Sequence, residues 1–208
     1  MNKDVYKIGY WFSILSFAGA IGYTIAQIFS PPLIQFFKFP WNEILIVLPS
    51  IILSISYVVV LSCLHYVTPD NRKIYSQIAL TFAIMYSVIV SSVYILQLAT
   101  VIPGTLNGNG EIVKMFSIIH SQPTQAVDGL GYMFLGVSAF FAHKVFGKNG
   151  LEGKARRYLL WHGLIAPFSI IPLWIPPVIV VSMLWFITAP LSLFWVAKYF
   201  KYKLLSNK

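Results

Sequence analysis

Six stretches of this chain are as long as membrane spans and almost free of charge: Ile8 to Phe29, Ile44 to Leu64, Ile74 to Ile102, Gly129 to Val145, Tyr158 to Leu173 and Val178 to Ala197. A hydrocarbon core of roughly 30 Å takes about 20 apolar residues to cross as a helix, so each run reads as a span, the fourth and fifth being short. A soluble domain has nowhere to hide them. Only 10% of the 208 residues are charged and 58% are hydrophobic, whereas soluble domains carry about 25% charged residues. A disordered chain is excluded on the same grounds, and the single cysteine, Cys63, excludes a disulfide scaffold. The expected fold is all-α: one six-helix transmembrane domain over residues 1–208. The first run is longer than the roughly 7–15 apolar residues of a signal peptide and no A-x-A site follows it, so it reads as a retained helix.

Orientation follows from lysine and arginine, which stay on the cytoplasmic side during insertion. Placing both termini and the second and fourth connections on one side gathers Lys3, Lys7, Arg72, Lys73, Lys144, Lys148, Lys154, Arg156, Arg157, Lys198, Lys201, Lys203 and Lys208, 13 of the 15 basic residues. Lys38 and Lys114 alone fall opposite. The map predicts cytoplasmic termini in a cell membrane, and attraction of the basic side to lipid headgroups accounts for the net charge of +9 without nucleic acid.

The connections differ in kind. Pro31, Pro32 and Pro40 predict a stiff first link, and Pro172 to Pro177 a tight turn before the last span. In the long third connection, a flexible stretch over Gly104 to Gly110 precedes Ile112, Met115, Phe116 and Ile119 at i, i+3, i+4 and i+7. That spacing predicts a short interfacial helix over the outer mouth, with Glu111, Lys114 and His120 facing elsewhere.

Inside a bilayer, small residues mark close packing and polar ones must find partners. Ala18, Gly22 and Ala26 form a small ridge on the first span, with Ser13, Ser16, Tyr23 and Gln27 on roughly the opposite face. On the third, Ala79, Ala83, Ser87 and Ser91 run beside Tyr86, Tyr94 and Gln97, and the second offers Ser50, Ser54 and Tyr57. These polar faces read either as interhelical hydrogen bonding or as the wall of a ligand cavity.

The titratable groups divide similarly. Gln27, Glu43, Gln97 and Asp128 fall at similar depth near the outer ends, below His120 and Gln122. A carboxylate and a histidine there suit acid–base work or cation binding, but Glu43 and Asp128 also sit where helix N-terminal capping places an acid. His162, near Arg156 and Arg157, is the one histidine expected at membrane depth; His65 and His143 lie near cytoplasmic ends. No spacing suits a metal site, and no motif a nucleotide or other cofactor. Gly136-Val137-Ser138-Ala139 has the letters of a nucleophile elbow, yet a helix interior is the wrong context for one. Trp11, Trp41, Trp161, Trp174 and Trp195 fall at predicted membrane boundaries, as interfacial anchors do.

Two resemblances add to this. Tyr94-Ile95-Leu96-Gln97-Leu98, Pro103, a polar loop and Asp128-Gly129-Leu130-Gly131-Tyr132-Met133-Phe134 resemble a set of functionally uncharacterised small prokaryotic membrane proteins, which implies that Gln97, Asp128 and Tyr132 form one unit. The six-helix basic architecture is similar to the substrate-binding subunits of energy-coupling-factor transporters, which implies a ligand taken from outside and a membrane partner docked on Ala18, Gly22 and Ala26. The expectation is a membrane protein with an outward-facing, partly polar cavity for a small or lipidic ligand, formed by Gln27, Tyr86, Tyr94, Gln97, Asp128 and Tyr132. A lipid-modifying enzyme using Asp128 with His120 or His162, and a purely structural subunit, are the alternatives.

Overall fold

The computed structural model describes residues 3–118 and 122–206, and every regular element among them is helical. The long helices are α1 (Lys3–Phe29), α2 (Trp41–Val67) and α3 (Lys73–Leu96). The last continues through a π-helical turn, Gln97–Val101, into α4 (Ile102–Leu106). A short α5 (Gly110–Val113) leads to α6 (Pro123–Ala142), α7 (Gly150–Leu164), α8 (Ile179–Ser182) and α9 (Trp185–Ser206). Five helical segments are long and apolar enough to cross a membrane: Lys3–Phe29, Trp41–Val67, Asp70–Leu106, Pro123–Val145 and Pro176–Ser206.

The stretch expected as a fifth span, Tyr158 to Leu173, is built differently. The helix starts earlier, at Gly150, and stops at Leu164, ahead of Pro167. A proline lacks the N–H to extend a helix and pushes the residue before it away from helical geometry, so the chain continues as 3₁₀ turns, Ala166–Ser169 and Ile171–Leu173. Fifteen residues span only about 22 Å. Helix and turn together nevertheless retrace α6 along its length, because three close approaches to α6, one by α7 and two by the turn after it, leave no room for side chains. A β-carbon on Gly163 would lie 2.6 Å from Phe140 Cα, one on Gly136 2.6 Å from Ala166 Cβ, and one on Gly129 2.7 Å from the Ser169 carbonyl oxygen.

The small ridge of α1 divides. Ala26 is buried and Gly22 lies where a β-carbon would stand 3.1 Å from Pro49 Cβ, so this part of the ridge seats α1 on α2; Ala18 is exposed. Between helices, serines pair. Ser16 donates to Ser56 at 2.7 Å and Ser54 shares a hydrogen bond with Ser91 at 3.0 Å, each worth about 0.6 to 2 kcal/mol in a membrane.

The expected interfacial helix is broken. Gly110–Val113 is one helical turn, Lys114–Phe116 a 3₁₀ turn, and Ser117 is extended. Val113 is buried against Gly104, whereas Ile112 and Met115 are exposed. Ile119, His120 and Lys208 lie outside the described residues.

Candidate functional site

Asp128 does not cap a helix. Pro123 opens α6 five residues earlier, so Asp128 sits in the second turn and faces inward, its Oδ1 buried without a hydrogen-bond partner. Glu43 occupies the first turn of α2, where its charge suits the helix dipole.

Around Asp128, five helices contribute tyrosine or tryptophan side chains to a continuous cluster. The Tyr94 and Tyr132 hydroxyls are 2.8 Å apart, and Tyr132 reaches Ser50 at 3.5 Å. The Asp128 carboxyl interacts electrostatically with Tyr23, Tyr86, Tyr94 and Tyr132. The Tyr132 ring lies 5.9 Å from that of Tyr86, 6.0 Å from Tyr23 and 5.7 Å from Trp185. Trp185 meets Tyr23 at 4.9 Å and His162 at 6.1 Å. Beneath them, Tyr57 stands edge-on to Tyr86 at 6.2 Å and shares a 3.1 Å hydrogen bond with Ser138.

Four atoms of this one cluster are buried without a hydrogen-bond partner: the Tyr86 hydroxyl on α3, Asp128 Oδ1 on α6, His162 Nε2 on α7 and Trp185 Nε1 on α9. An unsatisfied buried polar group costs about 1–3 kcal/mol, and more in hydrocarbon, so four in one place are a concentrated unmet demand. Together they offer acceptors in Asp128 and in the neutral His162 ring, whose Nδ1 donates to a Thr188 hydroxyl that itself donates to the Leu184 carbonyl, a donor in the indole, and a tyrosine hydroxyl able to play either part.

Of the six residues expected to bind a ligand, Tyr86, Tyr94, Asp128 and Tyr132 come together here. Gln27 reaches its edge, donating to the Tyr23 hydroxyl at 3.0 Å. Gln97 has a different task. Only 1% exposed, it donates from Nε2 to the Val93 and Phe116 carbonyls at 3.2 and 2.7 Å, and its Oε1 accepts the Ile118 N–H at 3.3 Å. It stands in for the backbone partners that the broken helix of the third connection lacks. Gln97→Leu should therefore unpin that loop, lowering stability by about 1–3 kcal/mol and speeding proteolysis between α4 and α6; an unchanged cleavage rate would contradict this role.

Ser138 donates to the Ala79 carbonyl at 2.7 Å, so its hydroxyl clamps α6 to α3. His162 Nδ1 bonds the Thr188 hydroxyl at 3.2 Å, and no hydrogen bond joins His162 to Asp128 or Ser138. His65 pairs with Ser76, and His143 with the Phe140 carbonyl. Among the described residues no three His, Cys, Asp or Glu gather as metal ligands.

Sequence reasoning missed Trp185 and Thr188. A signal was there: Trp185 falls inside its expected span, whereas the other tryptophans singled out fall at boundaries. In the structure Trp185 is 8% exposed, against 58 to 74% for Trp11, Trp41, Trp161 and Trp174. Comparisons with protein-family models, curated proteins and solved structures find no match to this chain.

Proposed function

We propose that this is a multi-pass membrane protein that binds a small ligand in a polar–aromatic chamber toward the outer end of its bundle. In this reading the chain crosses six times with both termini cytoplasmic, and the broken α7 segment makes the fifth crossing. What supports that topology is the run of α7 and its 3₁₀ turn along α6, and the clustering of Arg72, Lys73 and Lys203 around one end of the bundle.

The observation that carries the binding role is the set of four partnerless atoms from α3, α6, α7 and α9 on one aromatic cluster. Polar residues that join helices elsewhere in the bundle are paired, as Ser16, Ser54, Tyr57 and Ser138 are, and the two other buried atoms without a partner, Ser30 Oγ and Asn42 Oδ1, flank the first connection one apiece. Intramembrane groups that are buried at a cost and left unpaired mark ligand or ion sites. The fitting ligand brings a donor or positive charge to Asp128, an acceptor to Trp185, and an apolar body to lie among tyrosine rings.

Native mass spectrometry of the chain extracted gently from its own membrane tests this without assuming the ligand. Wild type should carry a small-molecule adduct and Tyr86→Phe should lose most of it while keeping or slightly gaining thermal stability, because that substitution deletes a partnerless hydroxyl. An adduct equally abundant in both proteins, or a Tyr86→Phe protein that melts early, would count against the site.

A further inference from the structure

The opposite end of the bundle holds a cavity of about 530 Å³, where α1, α2, α7, α9 and the turn that follows α6 meet the start of α3. Arg72, Lys73 and Lys203 line it together with Asp70 and Glu152. Glu152 is committed within the protein: it pairs with Lys203 at 3.4 Å and accepts the Gly147 N–H at 2.8 Å. Arg72 donates to the Val145 carbonyl at 2.9 Å and Lys73 to the Thr68 carbonyl at 3.3 Å. These backbone acceptors hold the two cationic heads in place but do not neutralise them. The bond to Val145 uses one of the five guanidinium donors, so Arg72 is anchored with its planar fork still able to grip an oxyanion.

We propose that this cavity binds a phosphate group, presented by an anionic lipid headgroup or by a soluble phosphate ester. Three features carry it. The size falls within the roughly 300–1,000 Å³ of small-ligand sites. A half-buried arginine beside a lysine gives the bidentate-plus-point-charge recognition that phosphates select. The aromatic rings of Tyr66 and Tyr199 and the apolar Val67 and Phe146 complete the wall, so a phosphate on a partly apolar molecule is accommodated better than a hydrated ion. Basic cavities between helices at the cytoplasmic side are natural headgroup sites. The inference does not depend on the outer chamber.

The test is native mass spectrometry of the full chain with phosphatidylglycerol and phosphatidylcholine of matched chains, and with soluble glycerol phosphate against glycerol. Phosphatidylglycerol should be retained roughly tenfold better than phosphatidylcholine, and Lys73→Gln or the pair Arg72→Gln with Lys73→Gln should remove that preference. Lys144→Gln with Lys148→Gln, exposed charges outside the cavity, should preserve it. Glycerol phosphate displacing the lipid from wild type assigns recognition to the phosphate alone; retention of lipid against it assigns the lipid headgroup as the source. Equal retention of both lipids and no glycerol phosphate binding by wild type, a comparison that needs no variant to fold, overturns the proposal. Equal loss in the exposed-lysine pair does so too, since it reduces the effect to general surface attraction.

Discussion

Gly163→Val is expected to leave little folded protein recoverable in detergent, at a cost of about 3 kcal/mol or more. The reason lies in what a side chain there would strike. A β-carbon would stand 2.6 Å from both Cα and Cβ of Phe140 and 2.7 Å from its backbone nitrogen, and a helix backbone has no rotamer by which to step aside. To admit valine, α7 must move away from α6. That would also shift His162, the preceding residue, from Thr188 and Trp185, so damage would reach the aromatic cluster. Gly110→Ala is the matched control. There the nearest heavy atom to a new β-carbon is 3.7 Å away, and the change should stay within about 0.5 kcal/mol. Thermal midpoints of the two variants, measured by fluorescence-detected size exclusion, decide the matter. A wild-type midpoint for Gly163→Val would mean that α6 and α7 do not pack backbone to backbone.

Much of this architecture was legible in the sequence because a bilayer rewards continuous apolar runs, and such runs can be read without tertiary information. The α1, α2 and α3 segments were legible for that reason, and helical spacing singled out Ser54 and Ser91 on their own helices without pairing them. Where other physics dominated, the reading failed. Asp128 looked like a cap because hydrophobicity begins at Gly129, yet Pro123 starts the helix, and a helix may begin in polar sequence. The stretch after Leu164 looked like a continuing span because Pro167 is itself apolar; its effect is on backbone geometry, not on hydropathy. Gln97 was read as a ligand contact because a buried amide needs partners, but those partners are carbonyl and amide groups of a loop whose path no periodicity describes. The cluster itself was partly foreseen through Tyr86, Tyr94 and Tyr132. Its link to α7 and α9 through Trp185 depends on which helices become neighbours, and sequence spacing along single helices carries no such information.

Asp128→Asn should separate the binding role from a structural one, because the two roles predict opposite changes in stability. The substitution keeps the shape and removes the charge. The Asp128 carboxyl accepts a hydrogen bond from the Tyr94 hydroxyl, which an asparagine carbonyl can keep, and Oδ1 has no partner in the protein that the substitution would strand. Stability should therefore hold or rise, by up to about 2 kcal/mol, as expected where a functional site is maintained against the preference of the fold. Binding should move the other way. A hydrogen bond to a charged group is worth about 1.5–3 kcal/mol, so affinity for the ligand identified by mass spectrometry should fall roughly 10- to 100-fold. Trp185, whose ring touches Tyr132 and Tyr23 within the same cluster, supplies the readout. Its emission should respond to ligand in wild type, and the response should require proportionately more ligand in Asp128→Asn. Gln97→Leu provides the contrast, losing stability because both of its loop partners are stranded. If Asp128→Asn melts earlier than wild type and binds as well, the carboxylate holds the bundle together and the chamber has been assigned to the wrong residue. If stability rises while affinity drops, the partnerless Oδ1 of Asp128 is explained as an atom whose partner is the ligand.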